Sequence, residues 1–233
     1  MSIPFYISLF LLFIVVLRFL VAFFNFLTRP VLPFGKPVGF PLVSVLIPAR
    51  DEEQNIGKLL SGIIKQTYWN IEVIVYDDQS IDKTSVIVEE FSSADNRISL
   101  LKSNGLPKGW LGKNHACHVL AQSAKGDYLL FLDADVMVSP HFIENAVYYA
   151  QRKRIVLLSM FPRQELQSLG EKLVVPSMNW ILLSLLFLRL VRWSKRRSLA
   201  AANGQMMMFD AKVYRDNQWH EQVKSSPVED ISI

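Results

Sequence analysis

From Ile3 to Leu27 every residue but Arg18 is uncharged and most are large and apolar, a run able to cross a bilayer because about 20 apolar residues suffice. The pattern then breaks at Pro30, Pro33, Gly35, Pro37, Gly39 and Pro41, which predicts a short stiff linker over 29–41. Beyond it, apolar runs alternate with helical spacing. Leu42–Ile47 reads as a buried strand stopping at Pro48, and Ile56, Leu59, Leu60, Ile63 and Ile64 recur on one helical face. Ile71–Tyr76 is a second strand and Arg97–Leu101 a third, with a helix expected from Asp82 to about Phe91. A helix over Asn114–Ala124 leads through Gly126 into the strand Tyr128–Leu132. Such alternation predicts an α/β fold, a Rossmann-like and mostly parallel sheet with helices on both faces, preceded by an N-terminal transmembrane helix.

No basic residue precedes the first apolar run and no small-x-small site follows it, so it reads as an anchor rather than a cleaved leader. Arg29 and Lys36 come after it, and the positive-inside rule then puts the rest in the cytoplasm, on a single anchor in the cell membrane. Arg18 must snorkel, face another helix, or mark the end of a shorter segment. A second apolar stretch, Leu173–Val191, contains Pro176, Asn179, Trp180 and Arg189 and runs into Arg192, Trp193, Lys195, Arg196 and Arg197. It predicts a helix lying at the membrane interface near 173–193, its basic end among anionic headgroups. A core helix with a solvated basic end is the alternative.

Composition fits this division. The chain has 233 residues, 51% hydrophobic and 20% charged, with a mean hydropathy of +0.23. One α/β domain plus membrane-facing segments accounts for both values. Cys117 is the single cysteine, which excludes a disulfide framework and a cysteine-rich zinc site. The net charge is +4, but the basic residues cluster beside an apolar helix without a stacking motif, so nucleic acid is not an expected partner.

The chemistry sits where strands end. Asp77-Asp78 closes one apolar run, and Asp133-Ala134-Asp135 closes another. In a parallel sheet both lie on the carboxyl edge, where ligands of α/β folds bind. Two carboxylates one residue apart suit Mg²⁺ or Mn²⁺, whose open positions substrate phosphates fill. A turn or a helix cap explains either pair taken alone. LLFLDADV also fits the first motif of haloacid-dehalogenase-type phosphatases, with Asp133 as nucleophile, but in that class this strand comes early, whereas here Asp77-Asp78 precedes it.

VSVLIPARDEE, IEVIVYDDQSIDKT and GWLGKNHACHVLAQSAKGDYLLFLDADV together resemble family 2 glycosyltransferases of the GT-A fold. The block from Gly109 to Cys117 is similar to the membrane-associated bacterial branch that glycosylates lipids, including carotenoid glycosyltransferases of the diaponeurosporenoate type. The resemblance implies a UDP-sugar donor and a lipid or carotenoid acceptor. It gives Asp78, with Asp77 beside it, a role at the uracil or ribose, and Asp51 a place in the nucleotide pocket, although helix capping explains Asp51 equally well. Asp135 would ligate the metal, Asp133 would support it or the ribose, and Lys113 would contact the diphosphate; a solvated lysine at a helix start is the bland alternative for Lys113.

Val228-Glu229-Asp230 matches the family's ED motif, which implies Asp230 as general base beside Glu229. Gly204, Gln205, Trp219 and His220 stand where the family places an acceptor-side loop, although Asn217-Gln218 replaces the usual glycine pair. The domain runs over 42–233 and stops three residues after Asp230, where relatives continue with a helix often carrying Q/RxxRW. That implies a fragment partnered by a missing C-terminal half, or a membrane-bound nucleotide-sugar binder without activity of its own.

Overall fold

The computed structural model describes residues 3–28, 31–162, 168–185, 187–188 and 203–226. They fall into two compact units, one built on the helices at Ile3–Leu27 and Leu169–Leu185, the other on the sheet and the chain from Leu32.

The sheet contains β1 (Val43–Ala49), β2 (Ile71–Asp77), β3 (Ile98–Lys102), β4 (Tyr128–Leu132), β5 (Leu157–Ser159) and β6 (Met206–Asp210), in the order β3-β2-β1-β4-β6-β5. β1 is parallel to β2 and β4, and β2 to β3, whereas β6 runs antiparallel to both β4 and β5. Strand parity assigns the faces. Val45, Ile47, Val73, Val75, Leu130 and Leu132 pack with α2 (Ile56–Ile64) and α5 (Phe142–Lys153), while Leu46, Ile74, Tyr76, Leu129 and Phe131 pack with α4 (Gly112–Ser123) and α7 (Ala211–Asn217). On α2, Ile56, Leu59, Leu60 and Ile63 are buried, each contributing about 1.5–3 kcal/mol of apolar transfer. α3 (Thr84–Ala94) and the short α8 (Trp219–Gln222) complete the unit.

Proline is rare in a central strand because it lacks the N–H. β1 accommodates Pro48 because its pairing with β4 ends at Leu46, so Pro48 lies where the two strands have parted. The segment predicted as a linker behaves differently from a free tether. Gly35 N donates to Asn145 Oδ1 at 3.2 Å, Val38 exchanges bonds of 2.8 and 3.0 Å with the Gln151 amide, and Leu42 N donates to Asp127 Oδ2 at 2.9 Å. Tyr68 Oη and Asn70 Nδ2 reach the carbonyls of Pro41 and Phe40. Side chains of α5 and of the strand-edge turns thus replace water as partners of this backbone.

In the other unit, α1 (Ile3–Leu27) is, among the described residues, the helix long and apolar enough to cross a membrane. It packs on α6 (Leu169–Leu185). Arg18 faces this second helix: its Nη2 and Nε donate to Ser184 Oγ at 2.8 and 3.2 Å, and its guanidinium lies 5.1 Å from the Trp180 ring centroid. Asn25, buried, donates to Leu183 O at 2.7 Å and accepts from Leu188 N at 3.1 Å. Polar side chains bonded between apolar helices are the usual glue of helix pairs in lipid. The basic cluster at 192–197 lies outside the described residues.

Candidate active site

The chain leaves β1 for β2 and β3 on one side, then crosses to β4 on the other, so the strand order reverses between β1 and β4. Such a switch point opens a crevice at the carboxyl edge. Here it is a cleft of about 410 Å³ lined by residues that include Arg50, Glu52, Asp78, Lys113, Asp133 and Asp135. Carboxylates from two strand ends therefore face one space.

β4 ends at Leu132 and runs into a turn closed by Val136 N on Asp133 O at 3.1 Å, in which Ala134 and Val136 are buried, Asp133 is half-buried and Asp135 is exposed. Lys113, at the start of α4, places Nζ 2.8 Å from Asp133 Oδ1. Asp133 N donates to Gln205 O at 3.0 Å, so the turn before β6 fixes the backbone of this loop. Two carboxylates a residue apart fit a cation that keeps waters and takes further oxygens from a diphosphate, as Mg²⁺ and Mn²⁺ do. Among the described residues no group of three or more His, Cys, Asp or Glu side chains could enclose a metal by itself.

Asp78, from the end of β2, lines the same cleft. Its N–H donates to Ala49 O at 2.9 Å, and Oδ2 lies 3.7 Å from Arg50 Nη1. A side chain at Gly112 would bring its Cβ to 3.0 Å from Asp78 Oδ2, so a glycine there leaves this carboxylate its room.

Other expected site residues take structural positions. Asp77 turns away from the cleft: Oδ1 accepts from Ser80 N at 3.0 Å and Oδ2 from the Ser85 hydroxyl, tying the β2 exit to α3. Asp51 sits at φ +55° and laces two loops together, donating its N–H to Ser80 Oγ at 2.9 Å and accepting Ile81 N on Oδ1 at 2.8 Å. Neither residue lines the cleft. Gly204 and Gln205 form the turn whose Gln205 carbonyl holds Asp133, with Gln205 N bonded to Asn203 Oδ1 at 2.9 Å.

Trp219 and His220 belong to an aromatic core rather than to a loop facing an acceptor. His220 is fully buried against Phe131, with ring centroids 4.8 Å apart, and its Nδ1 lies 2.5 Å from Tyr214 Oη. Trp219 packs on Phe209 at 5.3 Å. Burial, with help from His118 and Lys113, pushes the His220 imidazole down to about 3, so it is neutral, and its Nε2 has no partner among the described residues. The departure at Asn217-Gln218 has a local consequence, since Gln218 occupies the left-handed region at φ +48° that a glycine would favour. Glu229 and Asp230 lie outside the described residues.

Sequence reasoning missed Asn114. Its side chain is buried, and Nδ2 donates to Val223 O at 2.7 Å and to Ser226 O at 3.0 Å. A polar residue at a helix start beside Lys113, itself an expected site residue, was the available signal.

A doubly wound sheet with acidic strand ends over a switch-point cleft defines an α/β protein built to hold a nucleotide or its diphosphate. Residues 44–215 match the family described as Glycosyl transferase family 2, and the chain belongs to that family, whose members move a sugar from a nucleotide sugar. A 4,4'-diaponeurosporenoate glycosyltransferase of Staphylococcus haemolyticus is 36% identical over 122 residues, 52% of this chain and 32% of that protein. The match thus spans about a third of the curated relative's length. Among solved structures, the mannosyltransferase PcManGT from Pyrobaculum calidifontis, in complex with GDP-Man and Mn²⁺, superposes with a TM-score of 0.62 at 19% identity, covering 95% of this chain and 60% of that one. S. aureus TarS 1–349 in complex with UDP gives 0.53 at 22% identity, covering 82% and 53%. Both share the GT-A fold with this chain.

Proposed function

We propose that this chain is the catalytic core of an inverting, metal-dependent transferase that moves a sugar from a UDP-sugar to a hydroxyl or carboxyl of a lipid-type acceptor at the cytoplasmic membrane face. The observation that carries the reading is that Asp78, from the end of β2, lines the same cleft as Lys113, Asp133 and Asp135. Asp78 would hold the ribose or uracil, and the Lys113 ammonium the diphosphate, to which it is matched in charge. Asp135, with Asp133, would hold Mg²⁺ or Mn²⁺, which when bound neutralises charge on the departing diphosphate. The solved complexes of PcManGT with Mn²⁺ and of TarS with UDP support the donor side by analogy of fold.

The acceptor oxygen attacks the anomeric carbon opposite the diphosphate and the bond from that carbon to the phosphate oxygen breaks; Asp230, with Glu229 beside it, takes the proton of a hydroxyl acceptor, whereas a carboxylate acceptor attacks already ionised. In-line displacement inverts the centre. Support for a lipid acceptor comes from the apolar helix pair α1 and α6 and from the similarity to a 4,4'-diaponeurosporenoate glycosyltransferase. The phosphatase reading of Asp133 loses its ground with the family match.

Calorimetric titration of UDP, with and without Mn²⁺, tests the donor site. Binding should require the metal and vanish in Asp135→Ala; equal UDP affinity with and without Mn²⁺ would overturn the assignment. Incubating membranes with radiolabelled nucleotide sugars and extracting the lipids tests the acceptor class, and label confined to the aqueous phase would refute it.

A further inference from the structure

We propose that Asn114 is a positioning residue for transfer, a clamp that sets the segment leading into Glu229-Asp230 against the wall of the donor cleft. The inference rests on the reading of Asp230 as base.

Asn114 is 2% exposed and occupies the first turn of α4. Its single amide nitrogen spans two carbonyls, Val223 O at 2.7 Å and Ser226 O at 3.0 Å. From the preceding loop Leu111 N donates to Lys224 O at 2.9 Å. Residues 223–226 are themselves a tight turn, with Ser226 N bonded to Val223 O at 2.8 Å. Two donor groups at 111 and 114 thus make three hydrogen bonds to the carbonyls of Val223, Lys224 and Ser226, the last of which precedes Glu229 by three positions.

The neighbour in sequence faces the other way. Lys113 lines the cleft and pairs with Asp133. Adjacent residues on one helical turn therefore hold the Asp133 carboxylate and the turn at 223–226. A base must sit within hydrogen-bond reach of the proton it removes, so the register of this segment controls transfer. The chemistry of the clamp is specific to a carboxamide: both contacts need donor hydrogens, and a carboxylate of the same shape has none to give.

The test compares wild type with Asn114→Asp and Asn114→Ser in the full-length protein, the serine keeping one donor hydrogen. Positioning predicts that kcat falls at least tenfold in Asn114→Asp and less in Asn114→Ser. UDP affinity in Mn²⁺ should stay within twofold, and amides of 223–226 should exchange faster with deuterium. A kcat within twofold of wild type in either variant while those amides exchange faster would overturn the proposal. So would parallel losses of UDP affinity, kcat and melting temperature, which mark a merely structural role. Asp230→Asn separates the two readings: unchanged turnover there refutes the base, whereas unchanged exchange at 223–226 in Asn114→Asp refutes the clamp.

Discussion

Lys113 Nζ stands 2.8 Å from Asp133 Oδ1 across the start of α4 and the end of β4, so the cation expected at the diphosphate is paired with a carboxylate expected at the metal. The pair is 40% and 26% exposed, so water screens it and its contribution to folding is small. On the proposed function, the pair offers a positive group to the diphosphate and a negative group to the metal.

Lys113→Met should therefore separate binding from stability. Unfolding free energy should change by less than about 1 kcal/mol, as for exposed pairs. UDP affinity should weaken roughly tenfold, equivalent to about 1.4 kcal/mol. Urea unfolding and calorimetry check the two; a melting loss without a change in UDP affinity would count against the site.

Asp77 is expected to behave in the opposite way. Replacing it with Ala removes the acceptor for Ser80 N and the Ser85 hydroxyl, and should cost about 1–3 kcal/mol. Metal-dependent UDP binding, measured on the folded fraction, should persist in Asp77→Ala.

Gly126 is where the turn before β4 passes against β1. A Cβ there would come to 2.6 Å from Ser44 Oγ, 2.7 Å from Ser44 N and 2.8 Å from Leu42 O. Two of those atoms are backbone and cannot rotate away, so Gly126→Ala should destabilise by about 1–3 kcal/mol, as overpacking does. Chemical denaturation of the variant measures it.

His220 links stability to pH. Its imidazole is depressed by burial from an ordinary 6.5 to about 3, so above 6.5 both folded and unfolded chains carry it neutral. Below 6.5 the unfolded chain takes up a proton that the folded chain refuses, and the contribution is lost as the pH falls toward about 3. The slope over that window is about 1.4 kcal/mol per pH unit for one proton. His220→Phe should flatten the stability profile between pH 6 and about 4, followed by urea unfolding at each pH; an identical slope in both proteins would refute the assignment.

The first four strands were legible because each is an apolar run closed by proline, acid or turn residues, and hydrophobic period needs no tertiary information. β5 and β6 were not, since three residues of β5 and the run Met206–Asp210 carry no alternation that distinguishes a short strand from a core helix. The acids show the same division. Asp78, Asp133 and Asp135 reach the cleft as strand ends predict. Asp77 does not, because its carboxylate is taken by Ser80 N and the Ser85 hydroxyl, partners that strand alternation does not announce. Trp219-His220 is expected at an acceptor-side loop because the family resemblance places one there, and a histidine beside a tryptophan packs as readily as it binds. Only the convergence of Phe131, Phe209 and Tyr214 from distant stretches decides for packing.

The placement of β6 beside β4 carries a consequence for synthesis. Until Asp210 has left the ribosome, the outer edge of β4 has no strand to pair with and Asp133 N lacks the Gln205 carbonyl. The 78 residues from Leu132 to Asp210 take roughly 4–16 s at about 5–20 residues per second. During that interval the nascent chain presents an unpaired apolar strand edge, the kind of template on which partly made chains aggregate. Translation speed across 133–210 is thus a determinant of yield that no property of the finished protein reveals.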